Sequence, residues 1–318
     1  MPRADVWVDG TLVPWADAHT SVLSHAHQRG ALVFDVGALR EGARGPHHPW
    51  EPCHPCLFRP REHLARFLRS AALVGLDVRW DAEALLAATV GTARAAGAPS
   101  ALVRWSAYTP TLEVDVVPRA GAAASVAIAV IVPEDTAPAG DAAPGKPATV
   151  RVMVSHDVRK AGPEVFPPQA KVAASYLGPM LAKRRALAAG ADEVVLLDRE
   201  GRVAEAPTAN VFAVKDGVLV TPPLDRVLAG ITRDSILALA HAEGIPAREA
   251  HLSPQELATA DEAFLAATSL PVQGIATVDG RALRDGAPGP VTRRVKEALL
   301  ACERGEDPRF AAWVVPVG

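Results

Sequence analysis

Leu197-Asp-Arg-Glu-Gly-Arg-Val-Ala-Glu205-Ala-Pro-Thr-Ala-Asn210-Val-Phe212 decides how the second half of the chain folds. Glu200-Gly201 is a turn signal between two apolar runs, Glu193–Asp198 and Val203–Ala206, which therefore read as strands. A third run, Val211–Val214, leads through a second turn at Asp216-Gly217 into a fourth, Val218–Thr221. Short runs punctuated by glycine turns make a sheet-rich domain. Downstream, Thr232 can N-cap a helix with Asp234 in its first turn and Gly244 at its end. Ser253-Pro-Gln-Glu256 carries a capping box with proline at the first helical position.

Upstream, the pattern breaks at Thr136-Ala-Pro-Ala-Gly-Asp-Ala-Ala-Pro-Gly-Lys-Pro147, where proline, glycine and alanine replace the periodic apolar residues on either side. This break predicts a small N-terminal α+β domain over 1–135, a linker over 136–148 and a larger C-terminal domain over 149–318. In the first domain Asp9-Gly10 turns a hairpin, and Leu102–Tyr108 and Ser125–Val132 are strands. Leu64, Phe67, Leu68 and Ala71 recur at helical spacing, and a second helix runs from Asp81 to Ala96. The fold class is α+β in two domains. Arg66 falls beside the apolar stripe of its helix, a place where an arginine taken alone reads as solvated.

Of the 318 residues 49% are hydrophobic, and the formal charge is only -3. That balance argues against a disordered tail protein and against electrostatic binding of nucleic acid, so the expected ligand is small. No run of about 18 or more uninterrupted apolar residues occurs. The N-terminus MPRADVWVDG lacks a secretory pattern, so no membrane partner is expected and the expected location is cytoplasmic. Cys53, Cys56 and Cys302 are too sparse for a disulfide framework. Cys53-His54-Pro55-Cys56, with His47 and His48, could form half of a zinc site. A closed site needs about four ligands, and no second pair follows, so 41–56 reads as a loop insertion and no metal is expected.

Six lysines, at positions 146, 160, 171, 183, 215 and 296, make the search for a nucleophilic amine short. Lys146 lies in the linker, Lys183 and Lys296 in Arg-rich helical stretches, and Lys215 beside a hairpin turn, all natural settings for a solvated ammonium. Lys160 and Lys171 remain. Lys171 sits in Pro167-Pro-Gln-Ala-Lys-Val-Ala-Ala-Ser-Tyr176, an extended run of small residues that ends where Gly178-Pro179 can start a helix. Such crowding can desolvate an amine, which is one way a lysine becomes a nucleophile at neutral pH.

Pro168-Gln-Ala-Lys171, the Leu197–Phe212 stretch, Gly217-Val-Leu-Val-Thr-Pro-Pro223 and Leu228-Ala-Gly-Ile-Thr-Arg233 resemble the successive signatures of class IV aminotransferases, the branched-chain and D-amino-acid transaminase group. The N-terminal half agrees, through Val6-Trp-Val-Asp-Gly10, Ser21-Val-Leu-Ser-His25, Arg29-Gly30, Val33-Phe34 and Phe58-Arg-Pro-Arg-Glu-His-Leu-Ala-Arg66. The resemblance thus covers nearly the whole chain. It implies the fold type IV architecture of pyridoxal-phosphate enzymes, with a small N-terminal α/β domain and a larger, sheet-rich pseudo-barrel C-terminal domain.

It also implies pyridoxal 5'-phosphate as cofactor, with Lys171 forming the internal aldimine and then moving the proton between substrate Cα and cofactor C4′. Glu205 would face the pyridine nitrogen and keep it protonated, and Tyr176 would hydrogen-bond the phenolic oxygen. Arg66, Ile231 and Thr232 would take the phosphate. Gly230-Ile-Thr232 opens a helix, whose amides and dipole suit an anion. Thr268 matches the last threonine of the phosphate side. On the substrate side the resemblance implies Phe34, Arg104, Thr268 and Ser269, with Arg104 near the carboxylate.

Three departures from the family pattern stand out. Phe34-Asp35-Val36 replaces Phe-Glu-Gly, Ala267-Thr-Ser-Leu-Pro271 replaces Gly-Thr-Ala-Ala-Glu, and Ala174-Ser175 stand where Gly-Asn is common. The cofactor frame is therefore kept better than the specificity frame. The function implied is amino transfer between a branched-chain or other hydrophobic amino acid and a 2-oxo acid, with ping-pong kinetics, in a homodimer or higher homo-oligomer. A lyase of the 4-amino-4-deoxychorismate type and a D-amino-acid or amine transaminase share the implied fold and stay open as alternatives.

Overall fold

A computed structural model describes residues 5–42, 54–132 and 149–318. The expected linker and most of the 41–56 insertion, including Cys53, His47 and His48, lie outside the described residues. The chain groups into two compact units: Met1–Pro144 with Ala170–Ala174 and Ala301–Gly318, and Gly145–Gln169 with Ser175–Leu300.

The first unit is built on a seven-stranded antiparallel sheet. β1 (Val6–Val8) and β2 (Thr11–Val13) form the hairpin expected of Asp9-Gly10, whose φ angles of 48° and 104° are those of a tight left-handed turn. β3 (Leu32–Arg40), β5 (Ala101–Tyr108) and β6 (Ser125–Ile131) are consecutive neighbours, and β4 (Cys56–Phe58) extends the far edge. The edge is completed by β15 (Val314–Pro316), in which Val315 lies opposite Leu57. That pairing is why Ala301–Gly318 groups with the first unit, whereas the sequence reading kept the whole range 149–318 together. Ala170–Ala174 groups here for a similar reason, because Val172 bridges to Val33.

Helices α2 (Pro60–Leu73) and α3 (Ala82–Ala96) pack on this sheet, following α1 (His25–Arg29) in the chain. Pro60 occupies the first turn of α2, and Asp81 N-caps α3 by accepting the Ala84 amide. Leu64, Phe67, Ala71 and Leu85 of these helices and Val103, Trp105 and Ile128 of the sheet are all buried. Each large side chain buried there contributes roughly 1.5–3 kcal/mol. Gly37 in β3 is required by that packing: a Cβ at this position would stand 2.5 Å from the Trp105 ring.

The second unit holds an eight-stranded mixed sheet in the order β11-β10-β9-β12-β13-β7-β8, with β14 paired to β13. The strands are β7 (Thr149–Arg159), β8 (Glu193–Leu197), β9 (Asn210–Lys215), β10 (Val218–Thr221), β11 (Ala247–Glu249), β12 (Glu262–Ala267), β13 (Leu270–Val278) and β14 (Arg281–Ala282). Val203–Ala206, expected as a strand, makes only single bridges. It leaves Leu197 at Val203 and reaches Asn210 at Glu205, changing partner before a ladder can form.

Helix α4 (Leu177–Ala188) packs on β7 and β8. Helix α5 (Ile231–Ala242) has Gly230, not Thr232, at its N-cap, which moves its start back from the expected position and places Thr232 inside the first turn. Ser253 and Glu256 form the expected capping box at the head of α6 (Pro254–Ala258). The last helix is α7 (Pro290–Glu303), where the Glu262 carboxylate accepts the amides of Val291 and Thr292. Among the described residues no helix is long and apolar enough to cross a membrane.

Candidate active site

The first unit brings together Phe34, Arg66, Arg104 and Lys171. Lys171 is half-buried and held by its backbone on both sides. Its amide donates to Ser70 Oγ at 3.1 Å, and its carbonyl accepts the Phe34 amide at 3.0 Å. The amine lies 5.1 Å from the centroid of the Phe34 ring, and the Arg104 guanidinium lies 4.2 Å from the same centroid. An aromatic face attracts cations, so one buried ring gathers two basic groups.

Arg66 is not solvated. It is 4% exposed, and its Nε and Nη2 donate to the two oxygens of Asp35, each at 2.7 Å. His63, one turn earlier on α2, adds a bond from its Nδ1 to Asp35 Oδ1 at 2.8 Å. Burial pushes the Asp35 carboxyl up, but the Arg66 guanidinium and His63 outweigh it and hold the group well below the usual carboxylate range. Burial, joined by the Arg66 and Lys171 charges, pulls His63 down against the pull of Asp35 upward, and the net direction favours a neutral imidazole. With Nδ1–H donating, Nε2 is left as a buried acceptor with no hydrogen-bond partner among the described residues.

The second unit brings together Glu205, Lys160, Asn210 and the start of α5. The buried Glu205 carboxylate pairs with the Lys160 ammonium, accepts the Leu228 amide at 3.0 Å and lies 3.4 Å from Asn210 Nδ2. Asn210 Nδ2 also donates to the Leu228 carbonyl at 3.1 Å. Its Oδ1 sits so close to Gly230 that a Cβ there would stand 2.0 Å away, so glycine is needed where the chain enters α5. Burial lowers the Lys160 pKa, Glu205 and then Tyr176 raise it, and the net direction is upward.

The remaining expected residues are dispersed over these frames. Tyr176 ends the short helical turn Ala173–Tyr176 and immediately precedes α4. Ile231 and the buried Thr232 form the first turn of α5, where main-chain amides have no partner within the helix. Thr268 and Ser269 make the two-residue turn between β12 and β13, with Ala267 opposite Leu270. Sequence reasoning missed Asp35, His63, Ser70 and Asn210 as site residues and left Lys160 unresolved. An acid at the centre of the apolar strand Leu32–Leu39 was the available signal for Asp35.

Comparison with known proteins gives the same picture. The family model described as amino-transferase class IV matches residues 48–278. The branched-chain-amino-acid aminotransferase of Salmonella typhimurium is 33% identical over 319 residues, spanning 99% of this chain and 98% of that protein. The crystal structure of the branched-chain aminotransferase from Thermoproteus uzoniensis with norvaline is similar at a TM-score of 0.88 and 34% identity, over 99% of both chains. The T.th. branched-chain amino acid aminotransferase complexed with N-(5'-phosphopyridoxyl)-L-glutamate is similar at a TM-score of 0.89 and 32% identity, again over 99% of both. Fold, motif order and these likenesses agree, and the chain belongs to the class IV aminotransferase family.

Proposed function

We propose that the chain is a pyridoxal-phosphate-dependent transaminase that moves an amino group between a branched-chain or other hydrophobic amino acid and a 2-oxo acid in two half-reactions. One observation carries the reading: Lys171 is fixed by both backbone groups, with its amine over the Phe34 ring. The relatives named branched-chain aminotransferases, one of them crystallised with a phosphopyridoxyl adduct, support the cofactor and the substrate class.

The donor set suits that cofactor. Gly230 makes room for the Asn210 side chain where the chain enters α5, and a helix start of this length favours an anion. Glu205 is a buried carboxylate braced by Lys160, Asn210 and the Leu228 amide. When bound, the cofactor supplies an aldehyde carbon that bonds amines and a ring that takes up the electrons left at Cα. Lys171 bonds the cofactor and moves the proton at substrate Cα. Glu205 holds the proton at the pyridine nitrogen, and Tyr176 donates to the phenolic oxygen. Arg66, Gly230, Ile231, Thr232 and Thr268 bind the phosphate. Phe34, Arg104, Thr268 and Ser269 orient the substrate, Arg104 acting on its carboxylate.

The test is an amino-transfer assay with leucine, isoleucine, valine and their D-forms against 2-oxoglutarate, followed by chiral analysis, with Lys171→Ala as control. Product from the wild type and none from the variant is the expected result. A wild type that transfers no amino group, or that instead releases pyruvate from aminodeoxychorismate over many turnovers, overturns the reading. The reading further has the protein act as a cytoplasmic homodimer. The buried thiols of Cys56 and Cys302 suit a reducing compartment. Light scattering should return twice the 33.3 kDa chain mass, and an active monomer would remove that part.

A further inference from the structure

Arg66 does not stand alone, and the company it keeps is an unusual choice if its only task is attraction. Asp35 is 0% exposed in the middle of β3, and a carboxylate is kept at such a place only when it is paired. It neutralises much of the charge that would draw an anion to Arg66. What it provides instead is geometry. Nε and Nη2 of Arg66 meet the two Asp35 oxygens as a fork, which fixes the plane of the guanidinium as well as its position.

Asp35 is itself held. His63 Nδ1 donates to Oδ1 at 2.8 Å, and the imidazole stacks on Trp105 with centroids 5.9 Å apart and planes 25° apart. Trp105 Nε1 donates to Thr89 Oγ1 at 2.8 Å, and that hydroxyl donates to the Leu85 carbonyl at 2.6 Å. Four elements, α3, β5, α2 and β3, thus converge on one carboxylate. The arrangement also closes on Lys171: Ser70 Oγ donates to the Arg66 carbonyl at 2.8 Å and accepts the Lys171 amide, while the Lys171 carbonyl accepts the amide of Phe34, the neighbour of Asp35.

We propose that Asp35, backed by His63, is a positioning residue that sets the guanidinium of Arg66 to receive the phosphate of pyridoxal phosphate. The proposal rests on the reading of Arg66 as a phosphate ligand. Orientation outweighs the charge that Asp35 cancels, so removing the carboxylate weakens phosphate recognition even though it leaves Arg66 more positive.

The test uses full-length apoprotein and compares, by equilibrium dialysis, pyridoxal phosphate with pyridoxal, which lacks the phosphate. Asp35→Asn should raise the dissociation constant for pyridoxal phosphate roughly 10- to 100-fold, the range typical of losing an orienting partner, and change that for pyridoxal by less than about threefold. His63→Gln should shift the same ratio in the same direction by less, and Asp35→Glu, which keeps the carboxylate, should retain the preference. Equal losses for both ligands, as a general packing defect would give, overturn the proposal, and so does unchanged or tighter binding of pyridoxal phosphate. Should Asp35→Asn fail to fold, the ratio in His63→Gln decides. Arg66→Ala separates the two levels. If it leaves the ratio unchanged, the phosphate reading of Arg66 fails. If it collapses the ratio and Asp35→Asn does not, only the positioning role fails.

Discussion

The Lys160 ammonium lies against the Glu205 carboxylate, and this contact accounts for the second lysine whose setting in the sequence suited a nucleophile. An amine engaged in a partly buried ion pair stays charged and is a poor nucleophile. Lys160 is therefore a partner of Glu205 rather than a rival of Lys171.

Lys160→Met strands the Glu205 carboxylate and should cost about 1–3 kcal/mol of stability at neutral pH. The folded-state pKa of Lys160 lies above its ordinary 10.5, because Glu205 outweighs burial. Its contribution is therefore complete below pH 10.5 and lost as the pH rises through the folded value. Urea unfolding across alkaline pH should show the wild type converging on Lys160→Met. Parallel curves would argue against a charged pair.

His63 gives the opposite slope. Its folded-state pKa is pushed below the ordinary 6.5 by burial, so the unfolded chain binds the extra proton first. The stability contributed by the neutral imidazole is complete above pH 6.5 and lost as the pH falls toward the folded value. The gap between wild type and His63→Gln, about 1–2 kcal/mol at pH 7.5 for a lost buried bond, should narrow on acidification. A widening gap in the same titration would contradict a neutral ring.

Gly230→Ala would drive a methyl to 2.0 Å from Asn210 Oδ1 and 3.2 Å from the Arg233 Cβ. Overpacking of this kind costs about 1–3 kcal/mol. The displaced amide should also disturb Glu205, so the variant should lose affinity for pyridoxal phosphate together with stability. Dialysis and chemical unfolding on one preparation check both.

Lys171→Ala leaves the two main-chain tethers of this residue in place. Its unfolding free energy should stay within about 1 kcal/mol of the wild type while amino transfer disappears. A large drop in thermal stability would mean that the amine has a structural task.

Local rules made much of this fold readable. Asp9-Gly10 and Ser253-Pro-Gln-Glu256 specify their turn and cap within four residues, and both form as expected. Failures came where distant chain decides. Thr232 looks like a cap, yet the helix starts at Gly230, where Asn210 leaves no room for a Cβ. β15 finds β4 across most of the chain, a pairing no local pattern encodes. The site divides the same way. Setting alone narrowed the search to Lys160 and Lys171 and the resemblance pointed to Lys171, but what holds Lys160 is a carboxylate 45 residues further on. Arg66 looked solvated because its partner lies on another element.

Ser70 and Phe34 moor the lysine fore and aft. With its Cα stationary, any travel of the nitrogen is a swing of the side-chain torsions, reaching successive atoms along an arc without dragging the peptide. Ordering such a lever costs only the rotamer freedom of one side chain, and no loop has to be refolded at each turnover.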